Sequence, residues 1–390
     1  MVFVLTLPGI GAKLNAYIAH PVVPNQTVLP ELDGLRGLAA LYVAAGHLWY
    51  FKYWATYPVQ QDFEFIAYAT KGVPVFVILS GFLIYRSYLT ATGLEGLRSY
   101  VIRRFFRIYP LYAFSVLLLA LLGRMEARDS GFDAVSLFIS ELLMFRVLGG
   151  PEVFANPVAW SIHVEMLFYA FLPLYVLLVP KRHFLPASIV IFFLMLAADQ
   201  YYTREFSMWK YFMAGIIAAE FGHRFRIGAF WATVCFLIGC VAFVVDIQGP
   251  TTDYFAQLGI LRPSSNYFTL GLAIAMFLIL VGIDQRAWFA LFLYWAPVRH
   301  IGIVSYSLFL LHPIYVVLNF SDVFLPHIEN IEDRSLTAMP TWFFLGVYLT
   351  GMIFWATAAY LLVEKPMIRY GKRLARRVAP LSGDTIKAGL

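Results

Sequence analysis

The sequence predicts an all-α membrane protein: a polytopic bundle of about ten transmembrane helices with one extra re-entrant or surface helix. Three observations lead there. Hydrophobic residues make up 61% of the 390 residues and charged residues only 13%, about half the charged fraction of a soluble domain. Apolar runs near spanning length recur along the whole chain. Basic residues collect on alternate connections between those runs. The mean hydropathy is +0.73 and the isoelectric point near 9.1. That basic balance fits loops beside a membrane, so no nucleic-acid partner is inferred.

Apolar segments fall at 34–54, 69–90, 108–123, 133–148, 158–179, 184–200, 208–222, 228–247, 266–283, 301–320 and 341–363. The opening run Met1–Ile10 is too short to span and has no small-residue cleavage site. Segment 133–148 holds Asp133, Glu141 and Arg146 and ends at Gly149-Gly150-Pro151, so it is read as the re-entrant or surface helix. Charge supports this. With 133–148 not crossing and the N-terminus inside, one side carries Arg98, Arg103, Arg104 and Arg107, then Lys181 and Arg182, Arg224 and Arg226, Arg286 and Arg299, and the basic C-terminus. The other side carries Asp62, Glu64, Glu126, Asp129 and the Asp322–Asp333 loop. Basic loops face the cytoplasm. The expected layout is a cytoplasmic N-terminal segment 1–33, a transmembrane domain 34–366 and a basic cytoplasmic tail 367–390, in a bacterial plasma membrane. Cys235 and Cys240 lie in an apolar run and read as small hydrophobes. No metal site is expected.

Ionisable groups inside apolar runs carry the functional signal. Arg36 and His47 are eleven residues apart in the first span. On a helix that is three turns plus roughly 20°, so both share one face, about 16 Å apart along the axis. Such groups usually line a polar cavity. The plainer alternative is that Arg36 snorkels to the interface and His47 hydrogen-bonds a neighbouring helix. Glu165, about ten residues in from the edge of its span, is placed near the depth of His47, where a carboxylate orients the ring and raises its basicity. Together they suit general-base chemistry on a hydroxyl. Glu165 paired with an arginine as a helix clamp is the alternative. His163 faces another side of the same helix and is the weaker candidate.

Further motifs are less specific. Ser80-Gly81 in the second span reads first as a small-residue contact for a neighbouring helix, then as a narrow passage for a thin ligand. No Gly-x-Ser-x-Gly elbow surrounds Ser80, which excludes it as a nucleophile. Arg103, Arg104 and Arg107 recur at three and four residues, a spacing that suits phosphate oxygens or anionic lipid heads. Pro313 kinks its helix and frees a carbonyl that His312 or a tyrosine can satisfy. Glu364 closes the last span and is expected to pair with a loop arginine.

In order and spacing, these segments resemble the acyltransferase-3 family of membrane O-acyltransferases. The matching stretches are Leu32-Asp-Gly-Leu-Arg-Gly-Leu-Ala-Ala-Leu with the Arg36-x10-His47 element, Phe76-Val-Ile-Leu-Ser-Gly-Phe-Leu-Ile, and Arg103-Arg104-x-x-Arg107-Ile-x-Pro110. They continue with Trp160-Ser-x-x-x-Glu165-x-x-Phe-Tyr, Ser305-Tyr-Ser-Leu-x-Leu-x-His312 and Glu364-x-Pro366. Pro74 departs from the pattern, where the family often has Asp. The resemblance implies ten core spans and transfer of an acyl group, commonly acetyl from acetyl-CoA, to sugar or macrolide hydroxyls. It implies that Arg36 and His47 are essential and that the arginine cluster handles the acyl-CoA donor. Sugar, polysaccharide, lipid-linked glycan and macrolide acceptors all remain open, and membrane lipids surround the domain. The rival from another class is a transporter in which Arg36, His47 and Glu165 relay protons. It lacks internal repeats and paired broken helices.

Overall fold

A computed structural model describes residues 29–54, 69–89, 93–122, 133–144, 156, 158–198, 204–248, 265–324 and 340–378. The N-terminal residues 1–28, the acidic positions 62, 64, 126 and 129, Arg146, the Gly149-Gly150-Pro151 stop and most of the Asp322–Asp333 loop lie outside them. Among the described residues all regular structure is helical.

The helices are α1 (Pro30–Trp54), α2 (Gly72–Leu89), α3 (Gly93–Leu121), α4 (Ala134–Leu142), α5 (Ala159–Leu178), α6 (Phe184–Ala197) and α7 (Trp209–Arg224). They continue with α8 (Ala229–Gln248), α9 (Ser265–Asp284), α10 (Ala296–Ile303), α11 (Ser305–Phe324), α12 (Thr341–Ala359) and α13 (Lys365–Val378). Four described helical stretches are long and apolar enough to cross a membrane: Gly96–Leu121, Ala159–Leu178, Ala229–Asp246 and Thr341–Val378. A fifth appears if α9 and the 3-10 helix Trp288–Tyr294, bent by 89°, count as one span. Of the other expected spans, the first lies in the unbroken 25-residue α1, while several are shorter or broken. At 14 and 16 residues, α6 and α7 reach about 21 and 24 Å against a hydrocarbon core of roughly 30 Å. Segment 301–320 breaks at Val304 into α10 and α11. Short or broken helices are stable at membrane depth where protein surrounds them, and α7 is buried along most of its length.

Apolar side chains fill the core and also cover the outer surface, as a bilayer permits. Leu177, Leu178, Phe354 and Leu362 are 73, 80, 74 and 77% exposed on the outer surface. Lys210, Glu220, His163, His312 and Glu364 are buried. Glycines set the closest contacts. A Cβ on Gly81 would strike the Phe212 carbonyl of α7, and one on Gly215 the Ile78 carbonyl of α2. The small-residue role expected of the Ser80-Gly81 pair therefore falls to Gly81, with Gly215 opposite it.

Of segment 133–148 the described residues 133–144 form the nine-residue α4, capped by the Asp133 carboxylate accepting from the Ser136 amide at 2.6 Å. That amide holds the exposed Asp133 carboxyl below its usual range. Nine residues make about 14 Å, too short to cross. Glu141 anchors α4 to the bundle: Tyr112 donates to its carboxylate at 2.9 Å, and His163 Nε2 lies 2.8 Å from the Tyr112 hydroxyl.

Basic residues from distant segments meet at one end. Arg86 pairs with Asp284. Glu220 accepts from Tyr85 and, at 2.5 Å, from Arg224. Arg224 also donates to the Lys181 carbonyl. At the start of α2, Lys71 donates instead to the Asp246 carbonyl at 2.6 Å, joining the opposite ends of α2 and α8.

Candidate functional site

Polar side chains from four helices meet in one cavity. Arg36 enters from α1, Ser80 from α2, Ser161 and Glu165 from α5, and Tyr306 from α11. Apolar walls come from Val73, Phe76, Val77, Ile162, Phe168 and Phe309. Glu165 Oε1 accepts from Ser80 Oγ at 2.8 Å and from Tyr169 Oη at 2.6 Å, one turn along α5. Arg36 has Glu165, Asp33, Tyr169 and Arg107 as its electrostatic neighbours. A half-buried carboxylate and a half-buried guanidinium thus line the space a ligand would fill.

The arginine cluster adjoins this cavity. The Arg104 guanidinium lies over both Tyr100 and Tyr169, 5.7 and 5.4 Å from the ring centroids, within cation–π range. Arg107 stands near Arg36, Tyr169 and Glu364. Arg103 is exposed and bonds Ser99 on its own helix. Helix α13 packs along α3, with Gly371 against Phe106. It brings Lys372 and Arg376 to the cluster. Sequence reasoning placed those two only in a basic tail.

His47 lies at the other end of the Arg36 face. Its Nδ1 is 2.9 Å from His312 Nε2, and the rings stack at 4.9 Å between centroids. Phe309 joins this pair to the cavity: its ring is 6.0 Å from His312 and 5.3 Å from Phe76. The expected ring partner of His47 was Glu165; the partner found is His312. Glu165 sits instead with Ser80, Tyr169 and Arg36. The depth count took Pro157 as a membrane edge, yet α5 begins with Ala159, Trp160, Ser161 and Ile162 already buried inside the protein.

Two further expectations are corrected. Glu364 accepts from Ser307 Oγ at 2.6 Å, with Arg107 and Arg36 as charged neighbours, so its hydrogen-bond partner is a core serine and not a loop arginine. The last helix also continues beyond Glu364 through a π-helical turn, Tyr360–Glu364, into α13. Pro366 has no N–H for the Leu362 carbonyl, and a π turn accommodates that defect without ending the helix. The freed-carbonyl expectation at Pro313 meets a matching geometry. His312 Nδ1 lies 3.2 Å from the Leu308 carbonyl, with the Phe309 carbonyl, the one Pro313 leaves unbonded, beside it.

A polar cavity and a histidine pair, enclosed by helices that turn apolar faces outward, define an integral membrane protein with its chemistry inside the bundle. The acyltransferase domain family matches residues 29–361, and the chain belongs to that family, acyltransferase-3. Acyltransferase MdmB of Streptomyces mycarofaciens is 31% identical over 164 residues, covering 40% of this chain and 42% of its own length. YrhL of Bacillus subtilis strain 168, named as a peptidoglycan O-acetyltransferase, is 25% identical over 398 aligned positions, covering 90% of this chain and 56% of its own length. The chain spans about half the length of these curated relatives. No solved structure matches it.

Proposed function

We propose that this protein transfers an acyl group, acetyl in the first instance, from cytoplasmic acyl-CoA to a sugar-type hydroxyl, with His47 as general base. The observation that carries this is the order of groups along one path. Basic residues Arg104, Arg107 and Lys372 lead to Tyr169 and then to Arg36 and Glu165. The cavity follows, with Phe76 and Phe309 as its wall, and then His47. A phosphate-rich head at the arginines with a long thin arm in the cavity would bring a thioester towards the histidine. Arg36 to His47 is about 16 Å along α1.

In this reaction His47 takes the proton of the acceptor hydroxyl. The oxygen attacks the thioester carbonyl and forms the ester bond. The carbon–sulfur bond breaks, and the thiolate leaves with the proton that His47 carried. Arg36 faces the carbonyl or a donor phosphate as a preorganised cation. Ser80, whose hydroxyl is committed to Glu165, supports the carboxylate and not a covalent intermediate.

The same proposal places both termini in the cytoplasm and counts ten crossings, the shorter helices crossing inside the bundle. The shared end of Arg86, Lys181 and Arg224 supports it, since all three then face inward. A carbohydrate acceptor is favoured by the name of the relative YrhL. Mass spectrometry of surface glycans from cells with and without the gene tests the acceptor class. Loss of an O-acetyl mass from a saccharide is the expected result; unchanged glycans would reject a carbohydrate acceptor.

A further inference from the structure

Resting on the role of His47 proposed above, we infer that His312 is the positioning residue that decides which nitrogen of His47 is the base. Its neutral ring holds the proton of His47 on Nδ1 and leaves Nε2 bare for the acceptor hydroxyl.

The chain of hydrogen bonds runs one way. His312 Nδ1 faces the Leu308 and Phe309 carbonyls. Carbonyl oxygens only accept, so the proton of His312 sits on Nδ1. In a neutral imidazole the second nitrogen is then an acceptor. That nitrogen, Nε2, is the one 2.9 Å from His47 Nδ1, so His47 Nδ1–H donates. The Val43 carbonyl, one turn back on α1, is a second acceptor beside His47. His47 Nε2 is thereby left with a free lone pair. Water does not compete for these bonds at His312, which is 1% exposed.

The local sequence builds this arrangement. Pro313 removes the N–H that would otherwise bond the Phe309 carbonyl, so an acceptor stands free next to His312. Stacking at 29° between the ring planes limits rotation of His47. When His47 takes a proton at Nε2, its Nδ1–H bond to His312 becomes charge-assisted and shortens. A proton therefore enters and leaves at one nitrogen, with no tautomer change during turnover.

Nitrogen-15 spectra of histidine-labelled, detergent-purified full-length protein test this directly, with the His47 signals assigned by their loss in His47→Gln. The expected spectrum has a protonated Nδ1 and a bare Nε2 on His47 at pH 8. In His312→Gln, whose side-chain oxygen replaces the acceptor, that pattern persists; in His312→Phe it becomes a mixture. A proton on Nε2 in the wild type, or an unchanged pattern in His312→Phe, would overturn the assignment. Kinetics give a second readout, with acetyl-CoA as donor and release of the CoA thiol as signal. His312→Phe should lower kcat about 10–100-fold with the KM for acetyl-CoA unchanged, and His312→Gln should recover most of it. Equal losses in both variants would mean a packing role only. Wild-type thiol release in His47→Gln would reject His47 as the base and leave the spectroscopic result standing.

Discussion

Glu165 offers one oxygen to both Ser80 and Tyr169 and turns its charge toward Arg36. Both ions are half-buried and lie close enough to interact, so removing one leaves the other less well compensated. Glu165→Gln and Arg36→Gln should each lower stability by about 1–3 kcal/mol, while the double variant should lose less than the sum by about 0.5–3 kcal/mol. Thermal unfolding in detergent measures the cycle, and strict additivity would separate the two residues. At the arginine cluster, Arg107→Ala should raise the KM for acetyl-CoA and leave kcat nearly unchanged, because a phosphate contact made equally in ground and transition states acts on binding. Arg107→Lys should rescue it in part, since a point charge does not replace a planar fork. An unaltered KM in the alanine variant, with a lowered membrane yield that lysine fully restores, would make the cluster a lipid anchor. At this scale Arg36, His47 and Glu165 were legible because an ionisable group stands out in an apolar run. The partner of His47 was not. It lies 265 residues away, and nothing in the spacing of either segment ties α1 to α11.

Two helices meet where glycines permit it. Gly215 of α7 and Gly81 of α2 face each other's backbones, and α7 is sheathed by α2, α6 and α9. Gly215→Leu should therefore destabilise by about 1–3 kcal/mol or more through overpacking. Gly346 on α12 has open space where its Cβ would stand, so Gly346→Ala should stay within about 1 kcal/mol of wild type. Thermal unfolding of both variants checks the contrast; a tolerated Gly215→Leu would contradict the close crossing. Element positions were readable from apolar runs, but their ends were not. The run 108–123 was started near Pro110, whereas α3 passes through that proline from Gly93 to Leu121. The arginines therefore ride on the spanning helix itself and not on a separate juxtamembrane segment. Similarly, Glu364 was expected to close the last span, where a π turn carries the helix on.

Across the described residues, large apolar side chains are exposed on the outer surface while a few ionisable ones, Lys210, Glu220 and Glu364 among them, are buried in the apolar core. The number of crossings was less legible, because helices sheathed by their neighbours need not be as long as the bilayer is thick. Sidedness is testable at Lys181. In a background with Cys235 and Cys240 replaced by alanine, Lys181→Cys should react with a membrane-impermeant maleimide only after the cells are opened; labelling of intact cells would reverse every assignment after α4. The catalytic reading depends above all on one side chain, half-buried His47 at the far end of the Arg36 face. Transfer of labelled acetyl from acetyl-CoA, measured on purified wild type and His47→Ala with matched thermal unfolding, tests it most directly. The expected result is a rate lower by about 10²–10⁴-fold in a folded protein; a near-wild-type rate would contradict His47 as the base.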